Sequence, residues 1–451
     1  MNPEPEPPVS LWPDPDALGP VTDLYQLTMM AGYVAAGLAE APATFELFVR
    51  RLPPGRAYLV VAGLEQAIGD LGRLAFSRAQ VDALRSLPAF RGVDPALLDG
   101  LEGIRFRGDV WAVPEGSVVF AGEPLVRVEA PLAQAQWIET YLIASLSYPT
   151  SVASKAARIV AAAPGRSLME FGTRRGHGPL AGILCARAAY LAGFDATSNV
   201  EAALKLGIPC SGTMAHSWVQ SFPTEPEAFA AFARVYPGAT LLVDTYDTAA
   251  GARHAAAIDP PIGAIRLDSG DLAELSRVAR QILDDHGRHA ARIVASGDLD
   301  ERKIAALVAA GAPIDAFGVG TELITSRDAP ALAMVYKLVA LDGRGRIKLS
   351  PGKKTYPLAK QVFRRRDGQG RFLGDHVTRA DEVAEGEPLL VPILRGGERV
   401  RPLPPLGSIR EHCREQLASL PDGLRGLDAE SSYPISYSTA LDDEARRLGV
   451  V

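Results

Sequence analysis

The chain has 451 residues, of which 47% are hydrophobic and 22% charged, with a net charge of -6. That is enough apolar material for two or three globular domains, and the negative balance excludes a surface built to coat nucleic acid. The three cysteines, Cys185, Cys210 and Cys413, are isolated, which excludes a CxxC metal site or a disulfide framework and favours a reducing compartment.

Residues 1–20 are rich in proline and acid, lack the basic and apolar regions of a signal peptide, and read as a mobile lead-in. No apolar run approaches the roughly 20 residues of a membrane span, so a soluble cytoplasmic protein with no membrane partner is expected. Thr22-Asp23 predicts a helix N-terminus before LYQLTMMAGYVAAGL. ATFELFVRRL alternates as a strand, and AYLVVAGLEQ onward to about Gly100 reads as helices. Arg105 to Ala130, rich in Val and Phe with period-2 alternation, predicts antiparallel strands. Two helices, AQAQWIETYLIASLSY and TSVASKAARIVAAA, should follow.

From Ser167 the pattern becomes strand, polar tip, helix. Strands are expected at SLMEF, the run into GFDATSN, IPCSGT, ATLLVDT, IGAIRL, ARIVAS, IDAFGV and LAMVYKLVAL. Eight such signals at βα spacing indicate an α/β fold with an irregular (β/α)8-like barrel, an open doubly wound sheet being the alternative. No G-x-G-x-x-G opens a helix after a strand, so a dinucleotide fold has little support. Beyond residue 350 the strands turn antiparallel again. The expected division is a split α/β domain of residues 21–150 with 350–451, and a barrel domain of 151–349 carrying the active site. GKKT at Gly352 lacks the earlier glycine of a phosphate-binding P-loop and reads as a basic turn.

Polar clusters close seven successive strands, and active sites of barrels sit at that end. They hold Glu170 through His177, Thr197 to Asn199, Thr213 to Ser217, Asp244 to Asp247, Arg266 to Asp271, Ser296 to Asp300, and Gly318 to Thr321. Arg174, Arg175 and Arg266 suit phosphate or carboxylate. Gly297 and Gly320 offer bare backbone N–H groups before helices. Asp244, Asp247, Asp268 and Asp298 suit sugar hydroxyls or magnesium. Cations, backbone cradles and carboxylates around one centre fit a sugar carrying more than one phosphate. Alone, His216 would read as a core histidine or a helix cap; among these clusters it reads as functional. Asp244 and Asp247 serve equally as helix caps, and Phe171 equally as core.

TDLYQLTMMAGY, FELFVRRLP, EFGTRRGHGP, GTMAHSW, LLVDTYDT, IRLDSGDL, ASGDLDE, FGVGTELITS and KLSPGKKT resemble, in order, the nicotinate phosphoribosyltransferases. The resemblance implies a type II phosphoribosyltransferase fold and a homodimer with sites at the subunit boundary. It implies joining nicotinate to 5-phosphoribosyl 1-diphosphate, giving nicotinate mononucleotide and diphosphate. ATP would be a co-substrate and Mg2+ the cofactor, with no direct metal ligand assigned. His216 would be the histidine phosphorylated by ATP, and Thr213 and Arg266 would contact nicotinate. Phe171 and Tyr25, the latter from a partner subunit, would sandwich the base. Arg174, Asp268, Asp298, Gly320 and Thr321 match positions around the ribose and phosphates, and Ser198, Ser217 and Asp244 join them as candidate substrate contacts. The alternatives are nicotinamide as the base, a barrel lyase or aldolase, and a sugar-phosphate-binding protein. An aldolase needs a lysine at a strand end, and none of the seven clusters has one.

Overall fold

The structure is a computed structural model, and it describes residues 11–349, 355–428 and 432–449. The basic turn expected at Gly352 lies outside the described residues.

Six parallel strands form a curled half-barrel. They are Ser167–Glu170, Ala196–Thr197, Thr240–Leu242, Ala264–Leu267, Arg292–Ala295 and Ala316–Val319. Across the sheet the order runs second, first, sixth, fifth, fourth, third. That is the cyclic order of a barrel opened between Ala196–Thr197 and Thr240–Leu242. Residues 208–218 bridge this opening in the chain. The expected strand IPCSGT is reduced there to a single parallel bridge between Thr197 and Cys210. Helices follow most of the strands, and their apolar sides pack a core of Ile265, Leu267, Ile293, Phe317, Val319 and their neighbours.

The eighth expected barrel strand belongs elsewhere. Met334–Leu341 pairs antiparallel with Pro42–Val49 in a seven-stranded sheet that also holds Asp109–Ala112, Pro124–Pro131 and Val391–Arg395. A short, largely apolar strand such as MVYKLVAL carries no mark of which sheet it will join. A four-stranded sheet built on Lys360–Arg366 and Phe372–Arg379 completes the second region. The seven-stranded sheet packs a separate core around Phe45, Leu47, Trp137 and Tyr336.

Three local expectations change. Leu59–Val60 is a short strand, not helix. The two helices expected after Ala130 are largely one, Glu139–Ala162, which runs through Pro149. Proline deprives the Ser145 carbonyl of its helical donor, and Gly63, at φ +93°, approaches so closely that a Cβ there would lie 2.3 Å from that oxygen. The lead-in is anchored before residue 20. Ala17 and Leu18 are buried, Gly19 donates to Ala75, and its carbonyl accepts from the Trp137 indole at 3.1 Å.

Candidate active site

The site is built where the half-barrel strands end, because backbone pairing stops there and the next residue is free to face the opening. Arg266, on the Ala264–Leu267 strand, donates from Nη2 to Asp268 Oδ1 at 2.8 Å and from Nε to Ser296 Oγ at 2.8 Å. Ser296 in turn donates to Asp268 Oδ1 at 2.5 Å. This three-residue clasp consumes one edge of the guanidinium, and the remaining Nη1 has a long 3.5 Å contact to the Met214 carbonyl. Burial alone would raise the Asp268 carboxyl. Hydrogen bonds from Arg266 and Ser296, with the arginine's charge, hold it below the ordinary range.

His216 opens the helix His216–Gln220, and its side chain is 43% exposed. Nδ1 lies 3.1 Å from Thr245 Oγ1 and Nε2 lies 4.0 Å from Asp268 Oδ2. The imidazole is thus held between a hydroxyl and a carboxylate while staying open to a reactant. Asp244 Oδ2 accepts from the Asp268 amide at 2.9 Å and from Ser269 Oγ at 2.7 Å, whereas its buried Oδ1 has no protein partner. Such an orphaned oxygen marks a place for a cation, a hydroxyl or water. Asp247, by contrast, caps the helix Thr248–Ala256.

Phe171 follows the Ser167–Glu170 strand and is buried, with the Arg266 guanidinium carbon 5.9 Å from its ring centre. It lies so close to Gly318 that a Cβ there would come within 2.5 Å of the ring. Beneath it, Glu170 is fully buried. Burial raises its carboxyl, against hydrogen bonds from Thr197 and the Gly172 amide.

Two loops carry small residues. Gly297, at φ +92°, passes so near the end of the neighbouring strand Ala264–Leu267 that a Cβ would lie 2.0 Å from the Asp268 carbonyl oxygen, so only glycine fits. Asp298 beside it also has positive φ and is exposed. Gly320 caps the short helix Thr321–Ile324, packed on the Phe171 backbone, and Thr321 is partly exposed.

The fold therefore gathers His216, Asp268, Arg266 and Asp244 through direct contacts, with Phe171 at the arginine. Ser198 is half-buried, its amide donating to Glu170 at 2.9 Å; Thr213 is half-buried in the segment leading to His216, and Ser217 is exposed beside it. Arg174 lies exposed in the short 3-10 turn Thr173–Arg175. Tyr25 stands apart on the helix Leu24–Ala35, 47% exposed. Burial, then the nearby Glu139, raises its phenol. Sequence reasoning left Ser296 and Thr245 out of the candidate set. Both lay within the strand-end clusters without being singled out, because a hydroxyl's part in a clasp depends on what faces it.

A parallel α/β sheet carries a histidine–carboxylate–arginine cluster and glycine-bearing loops at its strand ends, an arrangement suited to an anionic substrate. Comparison with known proteins agrees. The nicotinate phosphoribosyltransferase N-terminal domain matches residues 21–147, the family's main domain 166–364 and its C-terminal domain 384–444. A nicotinate phosphoribosyltransferase of Mycobacterium tuberculosis (strain ATCC 25618 / H37Rv) is 48% identical over 95% of this chain and 93% of its own. The nicotinate phosphoribosyltransferase of Bacillus subtilis (strain 168) is 44% identical over 77% and 73%. The crystal structure of human nicotinic acid phosphoribosyltransferase superposes with a TM-score of 0.84 at 31% identity, covering 95% of this chain and 99% of that one. The chain belongs to the nicotinate phosphoribosyltransferase family.

Proposed function

We propose that this chain joins nicotinate to 5-phosphoribosyl 1-diphosphate, forming nicotinate mononucleotide and diphosphate as a step of NAD biosynthesis in the cytoplasm. The observation that carries the reading is the Arg266–Ser296–Asp268 clasp beside Phe171, in a chain of this family. The ring of nicotinate rests against Phe171 while its carboxylate meets the unclaimed edge of Arg266. Thr213 lines the same side. The pyridine nitrogen then attacks the anomeric carbon as the bond to diphosphate breaks, through an oxocarbenium-like centre. Holding both partners in line supplies proximity, and fixed charges stabilise the leaving diphosphate.

The amides around Gly297 and Gly320, with Thr321 and Arg174, take the phosphates, and Asp298, Ser198 and Ser217 lie along the ribose and phosphates. Among the described residues no three carboxylate, histidine or cysteine side chains cluster as a ready-made metal site. Asp244 Oδ1, buried and unpartnered, and Asp268 are nevertheless the carboxylates that would hold a magnesium ion there. When bound, Mg2+ neutralises charge on the departing diphosphate.

ATP is the co-substrate. Its γ-phosphoryl passes to an imidazole nitrogen of His216, the P–O bond to ADP breaking as the P–N bond forms, and the phosphohistidine is later hydrolysed. The exposure of His216 and its support by Thr245 and Asp268 favour this role. The working unit is a homodimer in which Tyr25 of the partner subunit covers the base opposite Phe171. The test is a product assay with the sugar diphosphate, Mg2+ and either nicotinate or nicotinamide, with and without ATP. Mononucleotide from nicotinate, improved by ATP, is expected. Product from nicotinamide alone overturns the Arg266 reading, and none from either base overturns the activity.

A further inference from the structure

The helix Glu139–Ala162 carries a polar stripe that the chemistry above leaves unused. Thr150, Ser151, Ser154, Lys155 and Arg158 are all buried, none more than 8% exposed. Residues 151, 155 and 158 share one helix face, and that face meets two loops that leave adjacent strands of the half-barrel. The first follows Arg292–Ala295 through Gly297 to the helix Glu301–Ala309. The second follows Ala316–Val319 through Gly320 to Asp328.

Lys155 joins them. Its Nζ lies 2.6 Å from Glu301 Oε2, where the first loop enters its helix, and 3.0 Å from Asp328 Oδ1 on the second. Arg158 adds a 3.0 Å contact to Glu301, and Arg56 grips Asp328 at 3.0 Å and Ser326 at 2.7 Å. Ser151 completes the junction, its hydroxyl donating to the Ala329 carbonyl at 2.7 Å. Apolar packing of equal volume serves stability as well as a buried ion network does, and such networks are most useful in holding a particular arrangement. Here the arrangement held is the spacing of two glycine-bearing loops.

We propose that Lys155 is a positioning residue for the transfer reaction. It ties the Gly297–Glu301 loop to the Gly320–Asp328 loop, so that both backbones present their amides to the sugar diphosphate at one fixed separation. This rests on the reading of those loops as the phosphate cradle. Lys155 contacts Glu301 and Asp328 and touches neither Arg266 nor Phe171, so KM for the sugar diphosphate should suffer more than KM for nicotinate.

The test uses the full-length chain and the variants Lys155→Met, Lys155→Arg and Asp328→Asn. Lys155→Met should raise KM for the sugar diphosphate by about tenfold to a hundredfold, the scale of sub-ångström to one-ångström misplacement. KM for nicotinate should stay within about twofold, and Lys155→Arg, which keeps the charge but not the shape, should recover part of the loss. Hydrogen exchange should rise together in residues 297–301 and 320–328 of Lys155→Met. Asp328→Asn, which keeps the Lys155–Glu301 pair, should show a smaller loss with the same selectivity and decides the matter if Lys155→Met does not fold. Equal damage to both substrates, or an unchanged KM for the sugar diphosphate, overturns the proposal. If the wild-type chain makes no mononucleotide, the catalytic reading fails on its own. Exchange then still decides the tether: joint deprotection supports it and independent behaviour refutes it.

Discussion

Replacing Arg266 by alanine is the most direct test of base recognition. The guanidinium already gives two hydrogen bonds to Ser296 and Asp268, leaving Nη1 and its neighbouring edge for ligand. A hydrogen bond to a charged partner contributes about 1.5–3 kcal/mol, and the nearby Asp268 offsets part of the charge that the ligand would feel. A loss of about 3 kcal/mol is therefore expected for nicotinate, roughly 150-fold in kcat/KM at about 1.4 kcal/mol per decade. Nicotinamide has no carboxylate, so any turnover of it should change by less than about fivefold on the same scale. Ser296→Ala serves as a control, because it loosens the clasp while leaving the arginine's charge. Steady-state kinetics with both bases, at saturating sugar diphosphate, reads the difference. Equal loss for the two bases would mean that Arg266 only holds Asp268 in place, and the carboxylate argument would be wrong.

His216→Ala should abolish the ATP-dependent gain and the acid-labile label from γ-labelled ATP, leaving slow ATP-independent transfer; full ATP coupling in this variant removes the phosphohistidine assignment. Gly318→Ala drives a Cβ to 2.5 Å from the Phe171 ring, so KM for nicotinate should rise about tenfold or more, from a displacement of the ring of the kind that misorients a reactant; an unchanged KM separates Phe171 from the base. Mixing Tyr25→Ala and His216→Ala chains under exchange conditions should restore about a quarter of the wild-type ATP-dependent gain, because random pairing of a two-fold dimer rebuilds one intact site in half of the dimers; no recovery would separate Tyr25 from the partner's site. Burial alone would raise the Asp328 carboxyl, but the hydrogen bond and charge of Arg56, with Lys155, bring it down to about 2 from an ordinary 3.8. A depressed carboxyl stabilises fully above its unfolded value and loses that contribution as pH falls through its folded value. The stability gap between wild type and Asp328→Asn in denaturant titrations should be constant from pH 5 to 8 and close between about pH 4 and 2. A gap that persists at pH 2 refutes the ion-pair account.

Much of the site was legible because βα units repeat. Each strand end is followed by a short polar tip, so His216, Arg266, Asp268 and Gly320 declared themselves by position before any distance was known. What stayed hidden depends on facing partners. Met334–Leu341 reads as another barrel strand, yet it pairs with Pro42–Val49, since a short, largely apolar strand fits either sheet and only its neighbours choose. TSVASKAARIV reads as an alanine-rich helix with a small face. That Ser151, Lys155 and Arg158 are the buried side follows only once two loops close over them.

The sequence by itself determined most of the local vocabulary: the strand and helix signals of the βα units, the glycines where a backbone has extra freedom, and which titratable groups stand at strand ends. These follow from the periodicity and conformational freedom of residues close together in the chain. The tertiary structure alone decided that the half-barrel opens between Thr197 and Thr240 with residues 208–218 bridging the opening. It alone decided that Ser296 clasps Arg266 to Asp268, that Thr245 steadies His216, and that one lysine spans two loops. Those are contacts between residues about 30 to 170 positions apart, and their geometry is set by the packing of whole elements.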